Sequence, residues 1–163
     1  MTPRVVLATA DENLLLRDFL NNKNYLKFSR IPVYSGNMEN ITGYVIRQNA
    51  FEKLAEDQHD LRLKDIKRDI VILPRAQALS DAWEKLLEKK EHIALVVDEY
   101  GGTDGIVTME DIIETMLGLE IIDEKDTIPD MQKYARERWK NRQIKYNMME
   151  QVSEGNDERS SIT

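Results

Sequence analysis

The sequence predicts an α/β fold made of two copies of one β-α-β-β-α unit. Three observations predict it. Short runs rich in β-branched residues alternate with amphipathic stretches, the pattern of strands separated by helices. The same order of elements occurs twice along 163 residues, and a repeat sets the architecture before any single element does. Each copy is too small to bury its own helices, so the two are expected to pack together with pseudo-two-fold symmetry.

In the first copy, Val5-Val6-Leu7-Ala8 reads as a strand. Residues 11–20 place Leu14, Leu15, Phe19 and Leu20 on one helical face, with Asp11 as N-cap. Ile31-Pro32-Val33-Tyr34 opens a second strand, and Ser35-Gly36-Asn37-Met38-Glu39-Asn40 is turn-rich. Ile41-Thr42-Gly43-Tyr44-Val45-Ile46 returns as a hairpin. Residues 49–56 suit a helix through Phe51, Leu54 and Ala55.

The second copy follows the same order. Ile70-Val71-Ile72-Leu73-Pro74 is a strand, and residues 79–88 form a helix with Ala82, Trp83, Leu86 and Leu87 toward the core. Ile93-Ala94-Leu95-Val96-Val97 is a strand, residues 98–104 a turn, and Gly105-Ile106-Val107 the return. Residues 109–117 are a helix capped by Gly118. Aligning Gly43 with Gly105, and Leu7 with Leu73, gives offsets of 62 and 66 residues. The expected organisation is a first motif over residues 1–61 and a second over 62–125. A basic helical extension over 126–150 and a disordered tail over 151–163 follow.

Hydrophobic residues make up 41%, enough for a globular interior, and the net charge of −7 argues against generic nucleic-acid binding. The absence of cysteine excludes disulfides, thiolate metal sites and cysteine nucleophiles, and fits a reducing compartment. No apolar run approaches the roughly 18 residues that cross a bilayer, and no basic-then-apolar leader opens the chain. The chain therefore reads as a soluble piece. Lys133, Arg136, Arg138, Lys140, Arg142 and Lys145 make a basic stretch interspersed with Tyr134, Ala135, Trp139 and Ile144. A solvated helix explains it, and so does contact with anionic headgroups or with a second copy.

The chemistry concentrates where the last strand meets the last helix. Thr108 and Asp111 stand three apart at a helix start. Free N–H groups there favour anionic oxygens, and a carboxylate one turn in can accept from a sugar diol. A plain helix cap explains the same pair. Asp98, Glu99, Asp104, Glu110 and Glu114 make an acidic neighbourhood that a solvated turn and helix start explains and that could also bind Mg2+, directly or through water, although EF-hand spacing fails. His59 and His92 are too far apart to read as a ligand pair. No Ser-His-Asp order, Walker loop or GxGxxG occurs, and Glu110-Asp111 lack a partnered nucleophile, so the chain does not read as an enzyme.

Three segments carry a family resemblance: Thr2-Pro3-Arg4, Ser29-Arg30-Ile31-Pro32-Val33-Tyr34, and Val97-Asp98-Glu99-Tyr100-Gly101-Gly102-Thr103 through Thr108-Met109-Glu110-Asp111. They resemble the CBS domain as a tandem pair (a Bateman module), of the kind found in CorC/HlyC hemolysin-like proteins related to the CNNM magnesium transporters. The resemblance spans about residues 1–125. It implies an adenine nucleotide, ATP or AMP, in the cleft between the motifs, with Mg2+ as a companion that offsets phosphate charge. By the same resemblance, Asp111 accepts from ribose hydroxyls and Thr108 orients ribose or phosphate. Phe28, Ser29, Arg30, Ile31 and Pro32 line the opposite wall, with Arg30 on phosphate. It further implies a homodimer, an upstream membrane domain, a place on the cytoplasmic face of the cell membrane, and regulation of magnesium or cobalt transport. The alternative is a ligand-free module that only dimerises its parent. In the first copy Ile46 and Asn49 replace the threonine and aspartate, so that site is expected to be weak or empty.

Overall fold

The computed structural model describes residues 1–118. The expected basic extension, the tail and the end of the second motif lie outside the described residues. The first copy comprises β1 (Thr2–Pro3), a single 3-10 turn at Arg4–Val6, β2 (Ala10–Asp11) and α1 (Leu16–Asn21). A second 3-10 turn at Tyr25–Lys27 leads to β3 (Arg30–Tyr34), β4 (Ile41–Ile46) and α2 (Arg47–Ala55). A short α3 (Leu63–Ile66) opens the second copy, followed by β5 (Val71–Pro74), α4 (Leu79–Lys89), β6 (Ile93–Val97), β7 (Thr103–Thr108) and α5 (Met109–Leu117).

The strands form two sheets, in the orders β1-β7-β6-β5 and β2-β3-β4. The two hairpins correspond residue by residue. Each slips register at one point, between Val33 and Tyr34 in one and between Val96 and Val97 in the other. Val33 pairs with Gly43 and Val96 with Gly105. Ala10 pairs with Val33 as Leu73 pairs with Val96. The structural counterpart of Leu73 is therefore Ala10, not Leu7. The extra residues of the first copy are taken up by the 3-10 turn, which stands where the Val5–Ala8 run predicted a strand.

The copies exchange arms. β1 opens the first copy in sequence yet pairs with β7, Thr2 opposite Ile106 and Pro3 opposite Gly105. Arg68 precedes the main strands of the second copy yet bridges to Tyr44 in β4 of the first. A glycine makes each approach possible. A Cβ on Gly105 would lie 2.3 Å from the Thr2 carbonyl oxygen, and one on Gly43 would lie 2.4 Å from that of Arg68. Both are well inside contact distance, so only a residue without a side chain fits.

Burial follows the repeat. Leu16, Phe19, Ile31, Val33, Val45 and Leu63 form one core, and Leu73, Leu86, Ala94, Val96 and Ile112 a second. A third cluster joins the two sheets: Tyr44 with Ile93, Leu95 and Ile106, edged by Ile41 and Ile46. The halves thus face each other across an apolar seam.

Several boundaries differ from expectation. α1 starts at Leu16 because residues 12–14 form a turn and bend after β2. Asp11 accepts from the Asn13 N–H at 2.7 Å instead of capping the helix. Leu87 and Phe51 are half exposed, and Ala50 supplies the buried contact of α2. α5 ends at Gly118 as predicted, in the left-handed region at φ 64°.

One polar cluster buttresses the first sheet. Lys67 Nζ donates to Glu12 Oε2 at 2.7 Å, and the Thr42 hydroxyl donates to the same oxygen at 2.8 Å. Bonding from Lys67, then Ser35 and Thr42, lowers the Glu12 carboxyl from 4.5 to about 2. The folded value lies below the unfolded one, so this group stabilises the fold above about pH 4.5. That contribution fades as pH falls toward about 2. Urea unfolding of wild type and Glu12→Gln should differ at about pH 6 and converge at about pH 2. An equal gap at both values would remove Glu12 from the acid response.

Candidate functional site at the head of α5

The strand-to-helix junction is built as the spacing of Thr108 and Asp111 requires. Thr108 ends β7 with extended backbone, at φ −108° and ψ 165°, and is the N-cap of α5. The Asp111 N–H donates to Thr108 Oγ1 at 3.2 Å, and the Thr108 N–H donates to Asp111 Oδ2 at 2.8 Å. This is a reciprocal capping box with aspartate in the third position. The Thr108 hydroxyl also donates to Oδ2, at 3.1 Å. The second carboxylate oxygen, Oδ1, lies outside the box, 2.6 Å from the Met1 backbone nitrogen. Asp111 therefore caps the helix through Oδ2 and leaves Oδ1 outside the cap. Thr108→Ala should lower stability by about 1 kcal/mol through the lost cap, read as a shift in urea midpoint.

The first copy lacks this arrangement. Ile46 caps α2 without any side-chain bond, and no acidic residue stands in its first turn.

The residues of the expected opposite wall divide. Register places Arg30 opposite Ile46 and Pro32 opposite Tyr44. Strand alternation therefore turns Arg30, Pro32, Tyr44 and Ile46 to one side, the side on which Tyr44 meets Ile93, Leu95 and Ile106. Thr108 pairs with Ile93 as Ile106 pairs with Leu95, so Thr108 belongs to the facing side of the other sheet. Ile31 points the other way, fully buried in the first core, which leaves only its backbone for a cleft. Phe28 and Ser29 are exposed, and the Ser29 carbonyl accepts from the Arg47 N–H at 3.0 Å at the head of α2. The equivalent place at the head of α5 belongs to His92, whose carbonyl accepts from the Met109 N–H at 3.1 Å. Among the described residues no hydrogen bond or ion pair joins Phe28 or Ser29 to Thr108 or Asp111.

Sequence reasoning passed over three residues at this seam. The Tyr44 hydroxyl, on a side chain only 1% exposed, donates to Glu91 Oε2. Burial first, then that carboxylate, raises the phenol to about 12. Arg68 Nη2 donates to Glu91 Oε1 at 2.8 Å, and this bond raises the Arg68 pKa. The three come from β4, the segment before β5 and the turn before β6, so no local pattern could link them.

The acidic neighbourhood does not converge. Asp98 Oδ1 is taken by the N–H groups of Tyr100 and Gly102, at 2.9 and 2.7 Å, and Asp104 pairs with Arg75 at 3.2 Å. Among the described residues no group of three His, Asp or Glu could hold a metal ion.

Comparison with known proteins agrees with this fold. The CBS domain family model matches residues 63–118. A hemolysin C homologue of Rickettsia massiliae is 37% identical over 127 residues, 77% of this chain and 42% of the relative. The chain thus spans about two fifths of the length of the curated relatives it matches. The CBS domain of a bacterial CNNM/CorC family Mg2+ transporter, solved in complex with ATP, is 31% identical with a TM-score of 0.68. That match covers 73% of this chain and 84% of the other. A CBS-domain pair from Klebsiella pneumoniae with bound AMP is 26% identical, TM-score 0.64, over 72% of this chain and 94% of the other. Among the described residues no helix is long and apolar enough to cross a membrane. With solved CBS domains of the CNNM/CorC family more than 30% identical over about three quarters of its length, this chain belongs to the CBS-domain family, in the form carried by CNNM/CorC and hemolysin C-like proteins.

Proposed function

We propose that the chain is the regulatory CBS pair of a membrane ion-transport protein and binds an adenine nucleotide between its two motifs. Asp111 Oδ1 accepts from the ribose diol, and Thr108 orients ribose or phosphate at the free N–H groups of α5. Arg30 pairs with phosphate, Pro32 and the backbone of Ile31 line the facing strand, and Phe28 and Ser29 close the rim. Mg2+ arrives with the phosphates, since the acidic side chains do not assemble a site of their own. The pair dimerises on the cytoplasmic face of the membrane. Nucleotide shifts the transport domain only insofar as it binds one dimer arrangement more tightly than the other.

The observation that carries this reading is the capped head of α5. One aspartate oxygen is fixed by the cap and the other lies outside it. The related structures holding ATP and AMP support the choice of ligand class. Calorimetry with ATP, ADP and AMP, with and without Mg2+, tests it. Binding at about millimolar or tighter, lost in Asp111→Ala but partly retained in Asp111→Asn, is the expected result. Asparagine keeps one oxygen for the cap and puts an NH2 donor where the ribose-accepting oxygen stood, so it retains the cap and at most a ribose contact of reversed direction. Silence across the panel with an intact dimer in sedimentation would favour the purely structural module. Phosphate release on adding ATP would place the chain among enzymes.

A further inference from the structure

Two guanidinium groups flank one buried phenol on the side that the first copy turns to the second. Tyr44 and Arg68 exchange both backbone hydrogen bonds, at 2.9 and 2.8 Å. They form a directly opposed antiparallel pair whose side chains share a side. Arg30 lies diagonal to Tyr44 across β3 and β4, on that same side and within reach of a long side chain. Arg68 is half exposed and bonded to Glu91, which is 13% exposed. Arg30 has no carboxylate partner among the described residues. The group thus carries two cations and one anion. Glu91 immediately precedes His92, whose carbonyl accepts from the first N–H of the helix that holds Asp111.

We infer that Arg68 joins Arg30 in holding the phosphate chain of a nucleotide, and that Glu91 is the internal counter-ion Arg68 releases when phosphate arrives. This rests on the nucleotide reading above. A guanidinium binds phosphate with the same forked geometry it offers a carboxylate. Because Arg68 is half exposed, the exchange leaves the core closed. Glu91 keeps the Tyr44 hydroxyl as donor, so it is not stranded when Arg68 leaves. Two cations favour a long phosphate chain over a single phosphate.

Calorimetry on the whole chain with ATP and AMP reads the inference directly, with thermal melts in parallel. Arg68→Gln should weaken ATP by about tenfold or more and AMP by less than about threefold. Glu91→Gln, which still accepts from Tyr44, should tighten ATP about threefold or more. An ATP-to-AMP affinity ratio unchanged in both variants would overturn the inference and leave the triad as a brace between copies. Should Arg68→Gln fail to fold, Glu91→Gln decides alone, and an unchanged or weakened ATP affinity there is the refuting result. Wild type that binds neither nucleotide sinks the nucleotide reading itself, whereas wild type that binds with an unaltered ratio in the variants sinks only the role of Arg68.

Discussion

Gly43→Ala should lower the unfolding free energy by about 3 kcal/mol or more, and Gly105→Ala should cost distinctly less. At both positions the added methyl would overlap a carbonyl oxygen of the exchanged arm, at 2.4 Å from Arg68 and 2.3 Å from Thr2. The difference lies in what can yield. β1 makes only two residue pairs with β7, so it can lift away with the loss of those pairs. The Arg68 segment is held on three sides. Its backbone exchanges two hydrogen bonds with Tyr44, its side chain is paired with Glu91, and its neighbour Lys67 is bonded to Glu12 and Thr42. Relief at Gly43 must break several of these together. Against a total stability of about 5–15 kcal/mol, such a loss removes a large share. Chemical denaturation of the two variants side by side checks the order. Equal destabilisation would mean the arms are equivalent despite their different anchoring.

Phe19→Ala should destabilise by about 3–5 kcal/mol. Phe19 is fully buried in the first core and stacks on Tyr25 with ring centroids 5.1 Å apart and an interplanar angle of 16°. α1 is only six residues long, so it has little helical stability of its own and depends on this contact. Ile31, Val33 and Val45 pack in the same cluster, and the other side of those strands carries Arg30, Pro32 and Tyr44. The cavity therefore loosens the sheet that faces the candidate cleft, and nucleotide binding should weaken along with stability. Leu87→Ala is the matched control. That side chain is half exposed on α4 and should cost under about 1 kcal/mol. Comparable urea midpoints for the two variants would show that the first core does not carry the fold.

Much of this architecture was legible in the residues. The two hairpins were found at Ile31–Tyr34 with Ile41–Ile46, and at Ile93–Val97 with its return, because alternation and turn residues act locally. The last helix was located end to end, since Thr108 and Gly118 signal both of its caps. The lack of a side-chain cap at the head of α2 was likewise visible in Ile46. Where local signals competed, the reading slipped. Val5-Val6-Leu7-Ala8 has strand composition, yet the chain must travel from the sheet that holds β1 to the one that holds β2, and a 3-10 turn spans that gap. Phe51 and Leu87 have core composition, but helical phase turns them outward while Ala50 and Leu86 take the buried positions.

By itself the sequence determined the repeat, the order of elements and the Thr108–Asp111 cap, all of which depend on residues within a few positions of one another. Only the tertiary structure decided that each copy lends an arm to the other's sheet, that Gly43 and Gly105 are the points of passage, and that Tyr44, Arg68 and Glu91 meet at the seam. Those contacts join residues distant along the chain. Their partners are selected by the packing of two sheets, which no local periodicity encodes.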